Sequence, residues 1–162
     1  METSKPNFKL IFALGNNDPQ YKNTYHNVGF LMADCLKDSG LRIITNPGYM
    51  NEAGKHLKKA MKGVKPDCLL VIQDDSDITL GNFKLSFGRS SGGHKGAENI
   101  IQTLKTKNFW RLRIGIRPSP SVALAKGGRR LKASEFVLKK ISSVDQKILN
   151  KVFQEVVENF GK

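Results

Sequence analysis

The chain has 162 residues, with 27 Lys and Arg against 14 Asp and Glu, a formal charge of +13. That length fits one domain able to bury about two thirds of its unfolded surface in one core, and the cationic excess favours polyanions such as nucleic acid or a membrane surface without choosing between them. Two cysteines far apart in sequence, no run approaching about eighteen apolar residues, and a start, "METSKPNFKL", without the apolar stretch of a secretion signal argue against a disulfide framework, a zinc ribbon and a transmembrane protein. The expectation is a soluble, cytoplasmic, reduced protein in which Cys35 and Cys68 are small core residues.

Apolar runs and helical stripes then alternate in a βα rhythm. "FKLIFALG" reads as a central parallel strand ending in glycine. Val28, Leu31, Met32, Cys35 and Leu36 mark one face of a helix that "DSG" stops. "LRIIT" predicts a strand leading into "NPGYMN", and Ala53, Leu57, Ala60 and Met61 a second helix. "CLLVI", residues 68 to 72, reads as a buried strand with "QDDSD" following at its carboxyl end. In "FKLSF", Phe83, Leu85 and Phe87 alternate with polar neighbours, the mark of a half-buried antiparallel strand. "RSSGGHKG" is a glycine-rich loop opening a helix with Ala97, Ile100, Ile101 and Leu104 on one face. "WRLRIGI" sets Arg111 and Arg113 opposite its apolar residues, giving a strand with one basic face. Residues 117 to 140, rich in Lys, Arg, Pro, Gly and Ser, predict a flexible surface segment. A last helix begins at a capping box of Ser143 and Gln146 and buries Ile148, Leu149, Val152, Phe153, Val156 and Val157. Together these predict a single α/β domain over residues 1–162, built on a mixed, mostly parallel sheet with helices on both faces.

Ligands of open α/β sheets gather beyond the carboxyl ends of the strands. The first strand delivers Asn16 and His26 there, the segment before the second helix delivers Asn51, and "CLLVI" delivers Asp74 and Asp77. A neutral imidazole takes a proton from water near pH 7, and a carboxylate on its other nitrogen fixes the tautomer. His26 and Asp74 are such a candidate pair. Amides such as Asn16 and Asn51 can donate to a carbonyl that becomes negative. The set suits ester or amide hydrolysis without a metal. Spacing alone equally allows His26 and Asp74 as caps and the asparagines as loop braces.

The glycine-rich loop is open to two interpretations: a helix mouth that holds a phosphate or backbone oxygen, or a loop needing positive φ at glycine. It is neither the nucleotide P-loop nor GxGxxG, so a nucleotide-binding domain is the weakest alternative. Lys84, Arg89, Lys95, Arg111, Arg113 and the 117 to 140 segment form a candidate basic track for nucleic-acid phosphates.

Five segments, in order and over nearly the whole chain, resemble the bacterial-type peptidyl-tRNA hydrolase family. "LGNNDPQYKNTYHNVGF" is similar to its LGNPGxxYxxTRHNxG motif, "YMNEAG" to YMNxSG, "QDDSDITLGNFKLSFG" to HDExDLPxGxxxLxxGG, "GGHKGAENII" to GGHNGLKSI and "FWRLRIGI" to FxRLRIGIGRP. The resemblance implies a monomeric, cofactor-free and metal-free enzyme that cleaves the ester between a peptide and tRNA. It places the base on His26 and its carboxylate on Asp74, with Asn16 and Asn51 positioning peptide, water and carbonyl. It further implies Tyr21, Gly93, His94 and Lys95 as substrate contacts, and Lys84 and Arg113 as tRNA-binding residues. Departures are Lys95 where the motif has Asn, Gln73-Asp74-Asp75 for HDE, Tyr25 for the Arg before the histidine, Asn17-Asp18 for Pro-Gly, and a shortened segment at 41–48. These departures and the charge leave a noncatalytic RNA-binding scaffold as the alternative.

Overall fold

The computed structural model describes residues 5–125 and 127–160. Leu10–Ala13 (β1), Ile43–Thr45 (β2), Leu69–Thr79 (β3), Phe83–Phe87 (β4) and Trp110–Arg117 (β5) form one sheet in the order β2-β1-β3-β5-β4. Every neighbouring pair is parallel except β4 with β5. β1 is buried along its whole length, as expected of a central parallel strand with helices on both faces.

Val28–Cys35 (α1) and Ser143–Phe160 (α5) cover one face, where Ile11, Leu70, Ile72, Leu112 and Ile114 pack with Val28, Met32, Leu149, Val152 and Phe153. Ala53–Ala60 (α2) and Lys95–Leu104 (α3) cover the other, where Leu10, Phe12, Leu69 and Val71 meet Ala53, Leu57 and Ile100. From β1 the chain steps outward to β2, then crosses back to β3 on the other side of β1. That reversal opens a crevice beyond the carboxyl ends of β1 and β3, where such sheets hold ligands.

The structure departs from sequence expectation in several places. "QDDSD" does not follow the strand but belongs to it: β3 runs on through Thr79, paired to β5 with a register shift between Asp75 and Thr79. Its partner β1 stops opposite Ile72, so Gln73 to Asp75 keep sheet hydrogen bonds on one side and open to the crevice on the other. Cys35 is exposed and Cys68 half-buried, so neither is a core residue; Met32, Ala33 and Leu36 take the core face of α1. The cap of α5 is Ser142, whose hydroxyl accepts from the Asp145 amide at 3.1 Å, rather than Ser143 with Gln146.

Residues 117 to 140 are more than a loose surface segment. They contain a short helix, Pro120–Ala125 (α4), and bury Leu131 and Phe136 in the core under α5. Arg117 fastens the segment by donating to the carbonyls of Ser76 at 2.6 Å and Leu131 at 2.9 Å. Lys126, within the same stretch, lies outside the described residues.

Candidate active site

His26 sits in a single 3-10 turn, Tyr25–Asn27, that leads directly into α1. Gly29, in the first turn of the helix, lets this turn approach the sheet. A Cβ there would lie 2.5 Å from the Leu14 carbonyl oxygen and 2.9 Å from that of Ile72, so only glycine allows α1 to press onto the end of β1 and the neighbouring part of β3. From the other side, the His26 amide donates to the Val137 carbonyl at 2.8 Å and the Tyr25 amide to that of Lys139 at 3.2 Å. The imidazole is thereby delivered over β3.

Asp74 alternates onto the same sheet face as Leu70 and Ile72 and is only 2% exposed. Both of its oxygens are used: Oδ2 lies 2.7 Å from His26 Nδ1 and Oδ1 lies 2.8 Å from His94 Nε2. His94 is the N-cap of α3, its Nδ1 accepting from the Ala97 amide at 3.2 Å. Since that nitrogen accepts, the proton of neutral His94 is on Nε2 and is donated to Asp74. The same carboxylate accepts a hydrogen bond from His26 Nδ1–H, which leaves the His26 Nε2 lone pair free. His94 therefore has no ring nitrogen left over: it braces Asp74 and at the same time lines the cavity beside His26.

Burial disfavours protonated His26, but the charge of Asp74 and its hydrogen bond outweigh that and raise the pKa above the ordinary 6.5, with Lys95 working in the opposite direction. For Asp74, burial opposes ionisation, and the two histidines overcome it and hold the carboxyl well below the usual carboxylate range. The donor atoms of His26, Asp74 and His94 lie within 4.8 Å of one another, a spacing compatible with a metal ion, yet each already has its partner within the trio.

The trio opens into a cavity of about 520 Å3. The glycine loop, with Gly92, Gly93 and Lys95, forms one wall, Asp75 to Asp77 line the β3 side, and Ala133, Ser134, Val137 and Leu138 form another wall. Gly92 and Gly93 have φ of 60° and 86°, the left-handed conformation that side chains disfavour. The expected helix mouth and the expected glycine turn are thus the same structure.

The asparagines are placed differently. Asn16 borders a separate recess of about 360 Å3 with Tyr49 and Glu52. Its backbone is clamped by Asn27, which accepts from the Asn16 amide and donates to the Asn16 carbonyl, both at 2.8 Å. Asn51 is exposed in a 3-10 turn before α2, and Tyr21 is half-buried in another, Pro19–Tyr21. None of these three lines the cavity of His26. Asn27 and the fully buried Asn46, which donates to the carbonyls of Gly15 and Tyr49 at 3.1 Å, escaped the sequence analysis. A polar residue in a turn carries no mark of burial.

The family model described as peptidyl-tRNA hydrolase matches residues 36–162. The chain belongs to the peptidyl-tRNA hydrolase family. It is 33% identical to a peptidyl-tRNA hydrolase of Prochlorococcus marinus over 98% of its length and 91% of that protein. Identity to one from Sulfurihydrogenibium is 36%, over 93% of this chain and 87% of the relative. The crystal structure of peptidyl-tRNA hydrolase from Acinetobacter baumannii superposes with a TM-score of 0.81 at 27% identity, covering 94% of this chain and 86% of that one. Because the family model begins at residue 36, the segment that carries His26 is tied to peptidyl-tRNA hydrolases by those longer alignments and by the fold.

Arg111 and Arg113, on one side of β5, separate. Arg111 does not face phosphate: it is 2% exposed and donates to Gln73 Oε1 at 3.1 Å and to the carbonyls of Arg89, at 3.1 Å, and Ser90. Burial pulls its pKa down to about 10, with Arg113 adding to the effect, so it stays charged at neutral pH. It leashes the start of the glycine loop to the residue beside Asp74. Arg113 is paired with Asp75 at 2.8 Å and bonded to Ser86 at 3.1 Å, and stands directly across from exposed Lys84 on β4. Of the candidate basic residues, Arg111 is thus buried, Arg113 half-buried, and Lys84, Arg89 and Lys95 exposed.

Proposed function

We propose that this chain hydrolyses the ester bond between peptide and tRNA in peptidyl-tRNA, with His26 as general base. The observation that carries this is the 2.7 Å contact of His26 Nδ1 with an Asp74 carboxylate that a second histidine holds in place. Nε2 of His26 takes a proton from water as the oxygen attacks the ester carbonyl. The imidazolium, steadied by Asp74, then returns that proton to the departing ribose oxygen. No metal or nucleotide cofactor enters the scheme.

The amide nitrogens of Asn16 and Asn51 have no hydrogen bond to protein among the described residues, which leaves both free to donate to the peptide and to the carbonyl oxygen. One such donor to a developing oxyanion contributes roughly 3 kcal/mol. Tyr21, Gly93 and Lys95 border the bound peptide and terminal nucleotide, while Lys84 and Arg113 hold tRNA phosphate. The enzyme acts as a cytoplasmic monomer. No helix among the described residues is long and apolar enough to cross a membrane.

The test is release of peptide from N-blocked aminoacyl-tRNA in the presence of EDTA. His26→Ala is expected to lower turnover by about 10²–10⁴-fold while tRNA binding persists. Undiminished turnover, or loss of binding and turnover together, removes His26 as the base. A wild-type protein that binds tRNA and releases nothing is the noncatalytic scaffold instead.

A further inference from the structure

We propose that Lys95 binds the phosphate on the 5′ side of the terminal nucleotide, the phosphodiester nearest the scissile ester. This rests on the peptidyl-tRNA hydrolase activity proposed above. Lys95 follows His94 directly and lines the same cavity as His26 and Asp74. Its backbone is therefore registered to the catalytic pair through the bond between His94 and Asp74.

The charges in that cavity are otherwise paired. Asp74 meets two histidines, Asp75 meets Arg113 at 2.8 Å and Asp77 meets Arg130 at 2.9 Å. Among the described residues Lys95 has no such partner, and its side chain is exposed into the opening. As the first residue of α3, it stands at the positive end of the helix, where a cation is disfavoured. Helix stability does not explain a lysine there. Where the family motif has an amide, this chain has a full charge at the end of a long, flexible stem.

The substrate offers two kinds of anion near the ester. A carboxylate occurs only when the peptide ends in an acidic residue, whereas the phosphate is part of every tRNA. A hydrated point charge at the mouth suits the phosphate. The charge is also felt at His26, where it opposes protonation of the ring.

The experiment compares unmodified peptidyl-tRNA with peptidyl-tRNA bearing one neutral methylphosphonate at that linkage, using wild type, Lys95→Asn and Lys95→Arg. Wild type and Lys95→Arg are expected to lose about tenfold in kcat/KM on the neutral linkage, mostly through KM, the scale of one charge-assisted contact. For Lys95→Asn the ratio between the two substrates should be near one. An equal penalty in wild type and Lys95→Asn overturns the assignment. So does a Lys95→Asn effect that follows Glu against Gln as the last peptide residue and not the linkage. If wild type fails on unmodified peptidyl-tRNA, the hydrolase reading has fallen first, and the two failures are told apart by that control.

Discussion

The floor of the cleft and the β4–β5 edge beside it are both polar surfaces on one sheet, but their polar groups are committed to different degrees. On the floor, each Asp74 oxygen has a histidine and His94 has both nitrogens bonded, so within this trio only His26 Nε2 has no hydrogen bond among the described residues. At the edge, Lys84 is exposed with no ion pair among the described residues, and Arg113 shares its charge with Asp75. Proton transfer needs a base held in one tautomer and one orientation, which a self-satisfied buried network provides. Recognition of phosphate needs a cation that can take a partner at little cost, which the exposed Lys84 supplies, whereas the Arg113–Asp75 pair, with side chains only 12% and 11% exposed, is held nearly as firmly as the floor.

Four substitutions break or sharpen that contrast. Asp74→Asn strikes the floor hardest: turnover should fall by about 10²–10⁴-fold. With the carboxylate gone, burial and Lys95 dominate and the His26 pKa drops, so the acid limb of any residual activity should move to lower pH. In wild type, the raised pKa means that His26 adds stability fully present below its ordinary 6.5 and lost as pH rises through the higher folded value. Turnover needs the neutral ring and therefore climbs over the same window in which this stability declines. A pH-rate limb below 6.5 in the wild type would contradict the His26–Asp74 coupling.

Arg111→Met tests the boundary between the two regions. It leaves Gln73 Oε1 and two backbone carbonyls without their donor, at a cost of about 1–3 kcal/mol in denaturant unfolding, and hydrogen exchange should quicken in residues 89–93. Undisturbed exchange there would mean that the leash does not hold the loop.

Lys84→Ala should leave stability and the pH profile alone and reduce the salt dependence of tRNA binding by about 0.9 log units for each phosphate that Lys84 neutralises. An unchanged slope takes Lys84 off the tRNA path. The smallest effect is expected from Tyr25→Phe, which deletes the hydroxyl bond to Asp145 that ties the His26 turn to α5. Thermal unfolding should report a loss of about 0.5–1.5 kcal/mol, with little change in kcat.

Much of the fold was legible in the chain because its local signals agree with its global packing. The apolar runs at β1 and β3 marked buried strands, the period-two pattern of 83–87 marked a half-buried antiparallel strand, and GGH before an apolar stripe marked a turn into a helix. Arg111 was misassigned because alternation identifies two sides of a strand without saying which side is covered; the covering loop, residues 89–90, is remote in sequence. Cys35 failed for a related reason, since a helical stripe is wider on paper than the face α1 buries. The role of His94 was hidden because its partner is twenty residues away on a strand that outruns its neighbour.

By itself the sequence determined the strand and helix periodicities, the excess of cations and the five motifs that join the chain to its family, since these depend on residues near one another or on counts. Which groups share a hydrogen bond was decided only by the tertiary structure. Three contacts set it: the close approach of Gly29 to β1 and β3, the early end of β1 beside Asp74, and the N-cap that turns His94 toward the same carboxylate. Each depends on elements distant in the chain meeting at distances of a few ångströms, which local pattern does not encode.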